Sequence, residues 1–226
     1  MPRKGQKAKS GKDNKQDSRL KALESMVFKT MENKQVNYQA TSQSINSNGY
    51  EDRRYLKLAC GPKDGTLLSS EARIGDSITL LSQQFCMNFI GSSTDTYNQV
   101  RCILVESVDG SQDITMSDVL QYPEYSVYGD LVFCSPYTTK TATNKRYKIH
   151  MDKYFTLSAF GTKGGVPPTK NIKHKIRWKN GKVVSYDGPS AVNPNDHCMN
   201  LLVISDSVSA THVQMSYATR STYKDA

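Results

Sequence analysis

The chain has 226 residues, 37% of them apolar, and carries 30 Lys and Arg against 21 Asp and Glu, a net charge of +9. That length suits one domain with appendages, and apolar runs such as Leu201–Ile204 are too short to cross a bilayer, so no membrane insertion is expected. A basic start with no apolar stretch behind it argues against a cleaved secretion signal, and five widely spaced cysteines (Cys60, Cys86, Cys102, Cys134, Cys198) without a C-x-x-C argue against a disulfide scaffold or zinc ribbon.

The charge is concentrated at the start. Arg3, Lys4, Lys7, Lys9, Lys12, Lys15, Arg19 and Lys21 face only Asp13 and Asp17, a net +6 within residues 1–21 that leaves +3 for the rest of the chain. Residues 1–17 hold no aromatic or β-branched side chain, so they are expected to form a disordered basic arm. Such an arm suits a polyanion, because each cation that meets a phosphate releases condensed counterions whatever the base sequence. A solubility tail or a nuclear import signal is the plainer alternative.

An amphipathic helix is predicted over 18–34. Leu20, Leu23, Val27 and Met31 form one stripe at helical spacing, with Asp17 or Ser18 as cap and Arg19, Lys21 and Lys29 off the stripe. From residue 35 to 226 the pattern is β. Asn48-Gly49, Asp64-Gly65, Asp109-Gly110, Asn180-Gly181 and Asp187-Gly188 punctuate the chain as turns. Between them, strands are predicted at Tyr55–Ala59, Ser77–Ile90, Asn98–Ser107, Leu131–Cys134, Arg146–Phe160, Ile172–Trp178, Val183–Tyr186, Met199–Ser205 and Thr211–Tyr223. Only Thr115–Gln121 looks helical within this body. Period-two alternation, as in Tyr147, Ile149 and Met151 against Lys148 and His150, predicts half-buried antiparallel strands and an all-β sandwich or barrel.

Signatures of catalysis are scarce. The chain has no G-x-S-x-G, H-E-x-x-H, Walker loop or G-x-G-x-x-G. Asp196-His197-Cys198 places neighbouring side chains on opposite faces of an extended segment, a poor nucleophile set. Trp178 sits among Lys173, Lys175, Arg177 and Lys179, but alternation sends the basic residues to one face and the indole to the other, towards a core. The reading is not an enzyme.

Several segments resemble, in the same order, the coat proteins of the satellite tobacco necrosis virus type, a kind of capsid also found in circular single-stranded DNA viruses. Met31-Glu32-Asn33-Lys34 resembles that family's helix end. Arg73-Ile74-Gly75-Asp76-Ser77-Ile78 resembles its R-x-G-D-x-V segment. Lys145–Ile149 with Asp152 and Thr156-Leu157 resembles K-R-F-x-I…D…T-L. Val183–Gly188 with Ala191-Val192, Leu202–Ser207 and the ending Tyr223-Lys224-Asp225-Ala226 continue the series. The resemblance implies a single eight-stranded antiparallel jelly-roll sandwich. It implies a partnership of the chain with itself, about sixty copies closing into a small icosahedral (T=1) shell. Basic arms inside would hold a single-stranded genome, RNA or DNA, through Arg19, Lys21 and the arm. Calcium between copies is implied at Glu32, Asp225, Ile74 and Ser77, the last two through backbone carbonyls. Localisation would be the virion, with host cytoplasm or nucleus during assembly, and the host attachment factor is unknown.

Two other classes fit parts of the pattern. A non-viral single-stranded nucleic-acid-binding β module should interleave aromatics with positive charge on its folded surface. A secreted calcium-dependent glycan-binding jelly roll should have a signal peptide and glycosylation sequons, and neither occurs in the sequence.

Overall fold

The computed structural model describes residues 11–30, 33–53, 56–58, 60, 72–92, 97–108, 114–144, 146–158, 167–208 and 213–225. Contacts divide the chain into two units, Met1–Asn33 and Lys34–Ala226. The first holds one helix, α1 (Gly11–Thr30). It starts within the expected arm and stops short of Lys34, so the predicted bounds of 18–34 are displaced at both ends. The reason is propensity. Residues 12–17 (KDNKQD) contain no Gly, Pro or β-branched residue, and backbone helicity does not require the apolar side chains whose absence suggested disorder. Asp17 and Ser18 are therefore inside the helix rather than at its cap. The arm's residues 1–10, including Arg3, Lys4, Lys7 and Lys9, lie outside the described residues, as do Met31 and Glu32.

The second unit has eight strands: β1 (Asn33–Ile45, its first residue in the first unit), β2 (Tyr50–Arg53), β3 (Ser77–Ile90), β4 (Tyr97–Ser107), β5 (Tyr147–Ser158), β6 (Thr169–Ser185), β7 (Met199–Ser205) and β8 (Val213–Asp225). They form two four-stranded sheets ordered β1-β8-β3-β6 and β2-β7-β4-β5. Every pairing with a described register is antiparallel. Consecutive strands fall in opposite sheets, except β4 and β5, which pair with each other, and this interleaving is the strand order of a jelly roll. The expected fold class is thus seen in the topology itself.

Alternation explains the layers. On β3, Phe85, Met87 and Phe89 point inward, and on β4, Val100, Cys102 and Leu104 meet them from the other sheet. Leu201 and Val203 of β7 and Met215 and Tyr217 of β8 complete the core. The opposite face of the β2-β7-β4-β5 sheet is also covered. Ile103, Val105, Leu202 and Ile204 pack against Ile114, Met116, Val119 and Val132 from the 114–144 connection. That connection contains the short helices α2 (Met116–Val119), α3 (Tyr125–Tyr128) and α4 (Thr139–Ala142). Being covered on both faces, every residue of β7 is buried.

Four expectations about elements need correction. Leu131–Cys134 is not a strand: Leu131 and Val132 end a 3-10 turn (Gly129–Val132), and Phe133 and Cys134 turn again after it. There the carbonyls of Val132 and Ser135 accept from the buried Arg101 guanidinium at 2.7 and 3.1 Å, and this tertiary anchor overrides β propensity. Leu56 and Leu58 alternate with exposed Lys57 as predicted, yet Leu56–Leu58 joins no ladder; the Leu58 N–H bonds the Val192 carbonyl instead. The segments 172–178 and 183–186 are one strand, β6, up to Ser185. Asn180-Gly181 makes a bulge, since Leu80 pairs with Lys182 and Ser82 with Arg177. Gly181 has φ +73, and a Cβ there would lie 2.3 Å from Thr79 Cγ2. Finally, β1 and β2 were not anticipated, because polar residues dominate them.

Arg73 shows how the R-x-G-D segment is held. It is fully buried; Nη2 donates to the carbonyls of Gly188 and Ala191, both at 2.7 Å, and Nη1 to that of Gly75. Its guanidinium also lies 4.4 Å from the centre of the Tyr186 ring.

Candidate nucleic-acid interface and cation site

On α1, Lys15, Arg19 and Lys21 are exposed. Lys15 and Arg19, four residues apart, share a face, and Lys21 lies on the other side of the helix. Leu20, Leu23 and Val27 keep the expected helical spacing, and each is more than half exposed. The side chains of Lys12 and Lys29 are outside the described residues. Among the described residues no helix is long and apolar enough to cross a membrane.

The proposed calcium ligands are partly brought together. Asp225 ends β8 opposite Ile78, and the Ile74 N–H donates to its Oδ2 at 2.7 Å. Ser77 opens the neighbouring strand, paired with Ser185. A residue outside the expected set completes the cluster. Lys34 Nζ lies 2.8 Å from the same Oδ2 and donates to the Ala72 carbonyl at 3.0 Å. The Ile74 carbonyl accepts from the Cys60 thiol at 3.5 Å. Calcium takes six to eight oxygens at about 2.3–2.6 Å. Here Asp225 Oδ1, buried and unpartnered, is an open oxygen, while an ammonium already neutralises the other. The described residues of one chain therefore do not fit a calcium ion; Lys34 is the cation at this carboxylate. Its inclusion in the predicted helix hid this role, although Lys34, Val36 and Tyr38 show the period of a strand.

A second polar cluster lies between the sheets, and nothing in the sequence joined its members. Glu106 of β4 is hydrogen-bonded to His150 of β5 through Oε2 at 2.6 Å and accepts from Lys182 of β6 through Oε1. His197 Nδ1 lies 3.4 Å from Oε1 and 3.1 Å from Lys182 Nζ. His197 Nε2 meets Gln83 Oε1 of β3 at 3.1 Å, and Gln83 Nε2 donates to Ser221 Oγ of β8 at 3.1 Å. Burial pushes the Glu106 carboxyl up. Hydrogen bonds with His150, His197 and Lys182, with the charge of Lys182, outweigh it and hold the group well below the usual carboxylate range. Burial lowers His197.

These contacts also decide the fate of Asp196-His197-Cys198. Asp196 bonds the Ser185 N–H and hydroxyl at 2.9 and 3.1 Å, and Cys198 accepts from Asn200 Nδ2 at 3.6 Å. His197 turns instead to Glu106, Lys182 and Gln83. The three neighbours thus serve separate structural contacts. Trp178 packs inward beside His197, ring centres 5.8 Å apart, while Lys173, Lys175, Arg177 and Lys179 are exposed, as the alternation predicted. Of the thiols, Cys102 and Cys198 are buried, Cys60 and Cys86 half-buried and Cys134 exposed, and none of the five is in a disulfide.

No protein-family model and no curated protein sequence matches the chain. Among solved structures, a chain of Desmodium yellow mottle tymovirus is 8% identical, with 86% of this chain and 82% of that one covered and a TM-score of 0.38. A chain of turnip yellow mosaic virus is 6% identical over 87% and 82%, with a TM-score of 0.37. One from a semi-empty virus-like particle of Macrobrachium rosenbergii nodavirus is 10% identical over 100% and 91%, with a TM-score of 0.35. Overlaps this loose leave the strand order as the ground for assigning a jelly roll.

Proposed function

We propose that this chain is a viral capsid protein that closes into a small icosahedral (T=1) shell of sixty copies and packages a single-stranded genome, RNA or DNA, through its basic N-terminal segment. The observation that supports this reading is the joining of a net +6 segment within residues 1–21 to a jelly-roll sandwich. A cationic segment binds phosphates without choosing bases, and a rigid sandwich supplies wall-like surfaces on which copies meet. Exposed Leu20, Leu23 and Val27 suit contact with another copy, and exposed Lys15, Arg19 and Lys21 suit the genome. The chain would then reside in the virion, passing through host cytoplasm or nucleus during assembly.

Electron microscopy of the purified full-length chain at low salt, with calcium, tests the shell. Closed uniform particles are expected; only monomers or small oligomers across salt and calcium conditions would overturn the reading in favour of a nucleic-acid-binding module. Deleting residues 1–21 should leave the sandwich folded, since Lys34–Ala226 has its own core, and reduce nuclease-protected nucleic acid several-fold. A normal load in truncated particles removes the packaging role of the segment.

Calcium belongs to this reading only as a bridge from Asp225 Oδ1 to oxygens of Glu32 or of a second copy. Were that bridge made, a chelator would loosen native particles and leave those carrying Glu32→Gln and Asp225→Asn unaffected. Equal responses of the two would take calcium out of the account.

A further inference from the structure

The two sheets differ sharply in charge. The strands of the β2-β7-β4-β5 sheet hold four basic and four acidic residues. Those of the β1-β8-β3-β6 sheet hold nine basic residues and one acid, Asp225, which Lys34 neutralises at the sheet's end. The body's near-neutral total therefore conceals a strong asymmetry.

Alternation then puts much of this charge on one face. Along β6, Ile172, His174, Ile176 and Trp178 turn inward, and Lys173, Lys175, Arg177 and Lys179 are exposed on the outer side. Spaced two residues apart, the first three of these cations recur about every 7 Å. The ladder continues the face across three strands. Lys175 pairs with Gln84, which pairs with exposed Arg220; Arg177 pairs with Ser82, which pairs with Thr222; Lys173 pairs with Cys86, which pairs with Ala218. Arg220 in turn donates through Nε to Asn37 Oδ1 of β1 at 2.9 Å. The outward positions of all four strands carry mostly amides, hydroxyls and cations, with a few small apolar or thiol side chains such as Cys86, Val183 and Ala218, and no carboxylate. The 114–144 connection covers the opposite sheet, whereas the outward residues of this one, apart from buried Lys224 near its end, are half-buried or exposed.

We infer that the outer face of the β1-β8-β3-β6 sheet is a second binding surface for the phosphate backbone of single-stranded nucleic acid, centred on Lys173, Lys175, Arg177 and Arg220. This rests on the capsid reading in one respect: it makes this sheet the inner wall of the shell. Charge complementarity selects the occupant, since a flat face of regularly spaced cations with no acid matches a polyanion. No aromatic side chain stands among the outward cations of β6, so binding should depend little on base or sugar, unlike a stacking platform.

The test uses the full-length chain and labelled oligo-dT and oligo-U of equal length. Lys173→Gln, Lys175→Gln and Arg177→Gln together should lower the slope of log affinity against log salt by about 2, at ~0.7 per phosphate contact on a single strand. A control set that removes as many charges elsewhere, Lys57→Gln, Arg146→Gln and Lys148→Gln, should leave the slope unchanged. An unchanged slope in the first set, or an equal fall in both, overturns the inference. So does face-dependent capture of phosphatidylserine vesicles in preference to oligonucleotide. Microscopy of the same samples separates the two readings. Shells with an unaltered slope refute the face alone, and face-dependent binding by a chain that forms no shell refutes the capsid alone.

Discussion

Replacing Glu106 with Gln should lower the stability of the sandwich by about 3 kcal/mol, because removing one member of a buried ion cluster strands the charge that it neutralised. Glu106 and His150 side chains are each 7% exposed and His197 1%, so water cannot take over their contacts; Lys182, at 25%, reaches solvent in part, which places the cost at the low end for such sites. Adding Lys182→Met to Glu106→Gln should recover part of the loss, since the uncompensated ammonium is then gone. A rescued variant no more stable than the single one would show that the carboxylate acts through hydrogen bonds alone. Trp178, the only tryptophan in the chain, reports urea unfolding from beside His197.

The same cluster sets a direction for pH. His197 is depressed in the folded state below its ordinary 6.5, so the unfolded chain takes up that proton first, and stability falls as pH drops below about 6.5. Glu106 is depressed from its ordinary 4.5, so its contribution is complete above that pH and is lost as pH falls further. Both act in one sense: urea midpoints should decline in two stages on acidification. In Glu106→Gln the stage below pH 4.5 should shrink; a profile parallel to the native one would assign that stage to other carboxylates.

Much of the sandwich was legible in the sequence because β3 and β7 announce themselves by apolar pattern, and their bounds, Ser77–Ile90 and Met199–Ser205, agree with the structure residue for residue. β1 was illegible because Val36, Tyr38 and Ala40 are its only inward apolar residues before the positive φ of Ser42 disturbs the alternation. β6 was divided because Asn180-Gly181 reads as a hairpin, whereas here it bulges and the strand resumes against the same partner. Site residues were harder still. Glu106, His150, Lys182 and His197 lie far apart in the chain, and only the strand order brings them together. The basic face was half visible: alternation placed Lys173, Lys175 and Arg177 on one side, but Arg220 joins them only through the pairing of β8 and β6 with β3. A charge summed over the body cannot reveal a division that depends on which strands are neighbours.

Arg101→Met should be the other costly substitution, about 3 kcal/mol or more. Arg101 on the outer side of β4 donates from Nε and Nη2 to both oxygens of Asp152, at 3.1 and 2.7 Å, and from Nη1 to the Val132 and Ser135 carbonyls. Tyr137 adds a hydroxyl donor to Asp152 Oδ2 at 2.8 Å, and its own proton is held more tightly, its pKa raised to about 12 by burial and by that carboxylate. One guanidinium thus ties the 114–144 connection to the sheet beneath it. Met fills the volume but leaves Asp152 with only the Tyr137 hydroxyl as donor and takes the guanidinium donor from two carbonyls, and a Lys in its place could not reproduce the two parallel bonds to the carboxylate. The loss should be local first. Hydrogen exchange should quicken across 114–144 while β3 and β8, in the other sheet, keep their protection. Uniform acceleration in both sheets would mean that the connection is part of the cooperative core and not a layer laid over it.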